Sequence, residues 1–234
     1  MARRFYEKVS VAEAGGGDGF IVRLDAHELK TPAKKPLILP TAELAQHVAD
    51  EWQAQETDID SHTMPTMRLV STALDRVAEA RDETAQAFAA YGMSDLLCYR
   101  AENPDKLVKK QADAWDPLLD WAKHRFDMSF EVTQGILPIN QPSENEARLI
   151  AIAGDDVFRL TGLAHMAATL GSAILAIAVD EAHIDAHGAY QLAFLDDLYQ
   201  IDEWGVDAEA VDRLDRIALD IRLASGYLSA LKQA

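Results

Sequence analysis

The sequence predicts an α+β protein, with a small N-terminal β-rich domain and linking helix (residues 1–60) ahead of a larger all-helical domain (residues 61–234). Three patterns carry this reading. Runs rich in aromatic and β-branched residues flank a glycine-rich stretch near the N-terminus. Apolar residues recur at helical spacing from Thr41 onward. No proline follows Pro142, so long helices can run uninterrupted to the end.

In chain order, Phe5 to Val11 and Phe20 to Leu24 read as strands, and Gly15 to Gly19 supplies the positive-φ positions of the hairpin loop between them. His27 and Glu28 are expected to make a second tight turn into Leu29-Lys-Thr-Pro32. Pro36 and Pro40 bracket the short run Leu37 to Leu39, and these prolines point to edge strands or loops. Thr41 is a good N-cap for a helix whose inner face carries Leu44, Ala45, Val48, Ala49 and Trp52. A second helix is expected from Thr66 to Tyr91, closed by Gly92. Asn103-Pro104 opens a third, with a stripe of Leu107, Gln111, Trp115, Leu118, Leu119, Ala122 and Phe126. Phe130 to Ile139 reads as an extended excursion. Ser143 and Glu146 have capping-box spacing, and Gly154, Gly171, Gly188 and Gly205 divide the remainder into four or five helices.

Composition narrows the function. Thirty-nine acids against 22 bases give a formal charge of −17, which repels phosphate backbones and anionic membranes. The longest apolar stretch, Leu170 to Val179, is far short of the roughly 20 residues a bilayer span needs. With no visible signal or transit segment and a single cysteine, Cys98, the expected location is the cytoplasm.

A search for catalytic chemistry yields little. The Gly15–Gly19 run lacks the Lys-Ser/Thr of a phosphate loop and opens no helix, so no nucleotide is expected. His183 and His187 stand four apart near Asp180, Glu181 and Asp185. Metal ligation and a plain helix-end cluster both account for that spacing, and no metal is assigned. His165 reads as a core histidine and Cys98 as a buried structural thiol. Adjacent Asp196 and Asp197 point about 100° apart on a helix and cannot form a catalytic carboxylate pair by themselves. No cofactor is implied. What stands out is charge: twelve acids and two bases lie between Asp180 and Asp220, interleaved with Phe194, Leu195, Leu198, Tyr199, Ile201 and Trp204. That pattern fits solvated faces of amphipathic helices, and equally an acidic rim around aromatic anchors on a protein-binding surface.

Several stretches, taken in order, resemble one family. They are Arg4-Phe-Tyr-Glu-Lys-Val, Gly19 to Asp25, Leu29 to Pro32, Leu39 to Ala45, Glu51-Trp-Gln-Ala-Gln55 and Met64-Pro65. Further on come Asp95 to Glu102, Trp115 to Trp121, Leu170 to Ala176 and Tyr199-Gln-Ile-Asp-Glu-Trp-Gly205. Together they resemble the Atp-twelve family, assembly chaperones for the α subunit of the F-type ATP synthase. The resemblance implies a two-domain fold and a holding function. The chain would bind unassembled α subunit and cover its aggregation-prone surface until the β subunit takes over, with no enzymatic activity and no nucleotide. The lack of an import sequence suits a bacterial cytoplasm. The expected partner-binding residues are Asp196, Asp197, Tyr199, Glu203 and Trp204, while Trp52, Trp115 and Trp121 are expected to be structural. The rival readings are a small-molecule hydrolase using a carboxylate such as Asp196 or Glu203, and a helical scaffold with another partner.

Overall fold

The computed structural model describes residues 2–205 and 208–232. In chain order the first elements are β1 (Ala2–Arg3), β2 (Val9–Glu13), β3 (Phe20–Leu24), β4 (His27–Glu28), α1 (Ala42–Gln53), β5 (Asp58–Ile59) and α2 (Pro65–Thr72). Next come α3 (Arg81–Met93), β6 (Tyr99–Arg100), α4 (Asp105–Phe126), β7 (Thr133–Gln134) and α5 (Ser143–Ala153). The chain closes with α6 (Val157–Leu170), α7 (Ala173–Asp180), α8 (Ala186–Ala193), α9 (Leu195–Trp204) and α10 (Ala208–Ala230). Small N-terminal sheets followed by a helical region give the α+β class read from the sequence. The chain forms two compact units. One comprises Met1–Arg81, Asp155–Gly162 and Gly226–Ala234, the other Asp82–Gly154 and Leu163–Ser225.

In the first unit, β2, β3 and β4 form an antiparallel sheet, with Val9 opposite Leu24 and Glu13 opposite Phe20. Gly17 and Gly19 take the positive φ values the loop requires. Gly19 has a second constraint, because a Cβ there would lie 2.5 Å from the Leu39 carbonyl oxygen. The second turn is at Asp25 and not at His27-Glu28, which pair as β4 instead. Asp25 sustains a left-handed φ of 55°, and its carboxylate accepts hydrogen bonds from the Glu7 and Lys8 amides.

Thr41 caps α1 by accepting from Leu44 N, while its hydroxyl donates to Ala230 O at 2.7 Å. Leu44, Ala45, Val48 and Ala49 are buried as their spacing requires, and α1 packs on β2, β3 and α2. The Glu51 carboxylate accepts from the Thr66 and Met67 amides and caps α2. Burial pushes this carboxyl up, against the lowering effect of those two bonds.

The single helix expected from Thr66 to Tyr91 is interrupted. After α2 the chain makes a π turn at Ala73–Val77, and α3 begins only at Arg81. Lys35 Nζ donates to the Leu74 carbonyl at 3.0 Å, and Ala78 N reaches back five residues to Ala73 O. A side chain from elsewhere thus takes a helical acceptor, which residue periodicity cannot reveal. Gly92 is an interior residue of α3 and not its cap, lying so close to Leu149 that a Cβ would overlap it.

In the second unit, α7 is apolar on every side up to its last residue, Asp180, and all eight of its residues are buried. It packs against α4 and α8. The α4 stripe buries Leu107, Gln111, Trp115, Leu118 and Ala122. Pro104 stands at the N-cap and not at the first helical position. The Phe130–Ile139 excursion contains β7, which pairs in parallel with β6. Among the described residues, six helices follow residue 142 where four or five were expected. Gly188 lies inside α8, and the chain breaks earlier, at residues 181–185, where Asp185 caps α8 by accepting from Gly188 N. The Ser143 capping box does not form. Pro142 holds the N-cap, and Ser143 Oγ turns to Glu144.

One buried cluster joins two distant stretches of this unit. Asp95 is fully buried and accepts from Leu97 N and Ile174 N, each at 3.1 Å, while Leu96 N donates to Gly171 O. Burial raises the Asp95 carboxyl to about 7 despite these donors. Cys98 beside it is also buried, and its thiol is pushed up to about 12 by desolvation.

Candidate functional site

The acidic stretch identified in the sequence runs from the last residue of α7 through α8 and α9 into α10, and its acids on α9 and α10 surround the residues assigned to partner binding; Asp207 lies outside the described residues. Asp196 and Asp197 occupy the first turn of α9, where the partial positive charge of a helix N-terminus favours carboxylates. They diverge as adjacent helical positions must. Asp196 Oδ1 accepts from Gln111 Nε2 of α4 at 2.8 Å, while Asp197 pairs with Arg213 of α10 at 2.5 Å. Leu195, at the start of the helix, and Tyr199, one turn further on, face inward.

Tyr199 is only 5% exposed, which makes it a support for the surface and not an anchor on it. Lys106 and Lys110 of α4 lie over its ring at 5.4 and 5.8 Å. Lys106 also pairs with Glu203, and that carboxylate holds the ammonium above its ordinary value. Trp204 ends the helix fully outward at 78% exposed, with Gly205 closing α9 through its amide to Ile201 O. Of the five residues assigned to partner binding, then, three are carboxylates already engaged by α4 or α10. One is a buried ring, and one is a large exposed aromatic.

The partners Lys106, Lys110, Gln111 and Arg213 were not foreseen. No local signal marks them, since Lys106 and Glu203 stand 97 positions apart. The surface is accordingly a patch of alternating charge around Trp204, and not the purely acidic rim that the residue count suggests.

The structural tryptophans differ among themselves. Trp115 is 1% exposed, donates from Nε1 to Leu192 O at 3.0 Å and carries Arg100 over its ring. Trp121 is half-buried and stacks on His183, with ring centroids 4.5 Å apart and planes 10° from parallel. Trp52 is half-buried in the first unit. The stack turns His183 onto an aromatic face, while His187 lines a shallow hollow with Tyr190, Asp215 and Arg222. His165, expected in the core, is only part-buried and lies 2.9 Å from Asp220. Among the described residues, no group of three or more His, Cys, Asp and Glu is placed to hold a metal ion. Nor is any described helix long and apolar enough to cross a membrane.

Known structures share this fold along almost its whole length. Atp12 from Paracoccus denitrificans aligns at a TM-score of 0.92 and 37% identity, covering 99% of both chains. A point mutant of the same protein gives the same score and identity over 99% of this chain and 98% of that one. Atu1473 from Agrobacterium tumefaciens, described as a candidate chaperone, aligns at 0.92 and 38% identity over 98% of this chain and 86% of that one. The fold is therefore that of a chaperone. Residues 3–123 match the family described as ATP12 chaperone protein, and the chain belongs to that family.

Proposed function

We propose that the chain holds the unassembled α subunit of the F-type ATP synthase in the bacterial cytoplasm and yields it to the β subunit during assembly of the catalytic head. Family membership supports the chaperone role, and the observation that carries the site is Trp204, a large aromatic standing exposed in a ring of charge. A ring of this size contributes most of its binding energy when a partner desolvates it, while the surrounding charges set specificity and encounter rate. Glu203 and Asp197 form that rim, Asp196 fixes α9 to α4 through Gln111, and Tyr199 supports the helix from beneath. Holding runs on mass action, with neither nucleotide nor catalysis.

The test is co-expression with the α subunit followed by sizing chromatography. A stoichiometric complex that dissolves when β subunit is added is the expected result. A helical scaffold for some other partner would elute alone. Titration calorimetry with magnesium and ATP should register no specific heat.

A further inference from the structure

We propose that a groove in the first unit is a second binding site, one that takes an extended acidic peptide segment carrying a large apolar side chain. This goes beyond the role assigned to α9. Three stretches that the α9 site leaves without a task converge on the groove: Leu29-Lys-Thr-Pro32, the Trp52 end of α1, and Met64-Pro65 at the start of α2. Its volume is about 820 Å³, within the roughly 300–1,000 Å³ of ordinary ligand sites.

The floor is apolar: Trp52, Ile59, Met64 and Met67. Methionine side chains are unbranched and adapt to varied shapes, which suits a peptide more than one rigid ligand. Two buried polar atoms in this wall, Trp52 Nε1 and Ser71 Oγ, have no hydrogen-bond partner among the described residues. Such groups carry a desolvation cost that a peptide carbonyl or carboxylate would offset once the methionines shift.

The rim decides the charge of the occupant. Lys30, Arg68 and Arg76 line the groove, are exposed, and have no ion-pair partner among the described residues. The one acid present, Asp75, already accepts from Thr31 Oγ1 at 2.6 Å and Ala33 N at 3.1 Å. The π turn at Ala73–Val77 contains both Asp75 and Arg76, and such turns commonly mark functional positions. Three unpaired cations around an apolar slot, in a chain of formal charge −17, are complementary to an acidic partner segment. A second copy of this chain is disfavoured by its own net charge.

The probe is a short fluorescein-labelled peptide of alternating Glu and Leu around one Phe, titrated against the full chain by fluorescence anisotropy. Saturable binding that weakens with salt is expected. The double variant Arg68→Glu with Arg76→Glu should weaken it by about tenfold or more, and Trp204→Ala should leave it unchanged. Thermal melting of the double variant verifies its fold, and Lys30→Glu, in the loop before Thr31, offers an independent change outside the helices. Four outcomes would overturn the proposal: no binding, equal binding of the Lys-for-Glu peptide, full displacement by inorganic phosphate, or self-association of the chain abolished by the same variants.

Discussion

Trp52 and Trp204 illustrate how differently one residue type can be used. The Trp52 ring meets Tyr6 edge-on at 5.7 Å, and the Tyr6 hydroxyl donates to the Trp52 carbonyl at 2.6 Å. Full truncation of a buried Trp costs about 3–5 kcal/mol, and a half-buried one roughly half of that. Trp52→Arg also sets a guanidinium among methionines and near two other arginines. The expected outcome is a lower melting temperature and poor soluble yield, and an unchanged melting curve would show that the ring does not pack. Trp204→Ala should instead change stability by no more than about 0.5 kcal/mol, as exposed substitutions usually do. Its capture of α subunit should fall, measured as suppression of α-subunit aggregation. Glu203→Lys belongs beside it, since it repels Lys106 and reverses one rim charge. Asp196→Lys is a poorer probe because it also breaks the Gln111 bond. Both tryptophans sit at helical spacing with apolar neighbours, so periodicity alone does not distinguish them. Trp204 is exposed at the last residue of α9, where it borders a hollow with Ala210 and Leu214 of α10 without being covered by them.

Elements were legible where one face meets one core. The α1 and α4 stripes, the glycine hairpin and the Thr41 cap follow from local pattern. The interrupted helix after α2 does not, because Lys35 takes the Leu74 carbonyl from outside the periodic pattern. The Ser143 cap fails because the helix starts one residue earlier than its spacing implies, with Pro142 at the N-cap. Two elements yield sharp expectations. Gly19→Ala places a Cβ against a backbone carbonyl and forces a φ of 138° on a residue that resists it. The backbone term alone costs about 1–3 kcal/mol, and the Phe20–Leu39 bridge should open, visible as faster amide exchange at both residues.

Asp95, beside the N-terminus of α7, gives a pH signature. Its ordinary value is 3.8 and its folded value about 7. Between these, the unfolded chain has released the proton while the folded one retains it, so this residue's contribution to stability falls as pH rises through the window and is flat above it. Asp95→Asn cannot titrate. The stability difference, wild type minus variant, should therefore shrink from pH 5.5 to 7.5 in urea titrations. A pH-independent difference would place the Asp95 carboxyl back in the ordinary range. That this residue anchors α7 was invisible in the sequence, since Asp95 and Ile174 stand 79 positions apart.

At the scale of the whole molecule, charge was read correctly in sum and incompletely in arrangement. The count of acids on α9 and α10 was plain, but their cations come from α4 and α10 and are brought together only by folding. Salt should therefore act twice. It weakens partner capture through screening, and it also loosens exposed pairs such as Lys106–Glu203, whose individual contribution to stability is small. Melting temperature should change little between low and moderate salt while the association rate with α subunit falls several-fold.

The first unit draws on three separate stretches of chain. Thr41 holds the Ala230 carbonyl, Tyr227 donates to Phe158 O at 2.9 Å, and Leu228 crowds Gly162 so closely that a Cβ there would overlap it. On the ribosome, the strands and α1 emerge first yet cannot close their core until residues 226–232 arrive, after every helix of the second unit has been made. The nascent N-terminal segment therefore waits, incomplete, through most of translation. A chain stopped after Ser225 should release a product whose first unit is readily cut by protease, although every residue of its sheets is present.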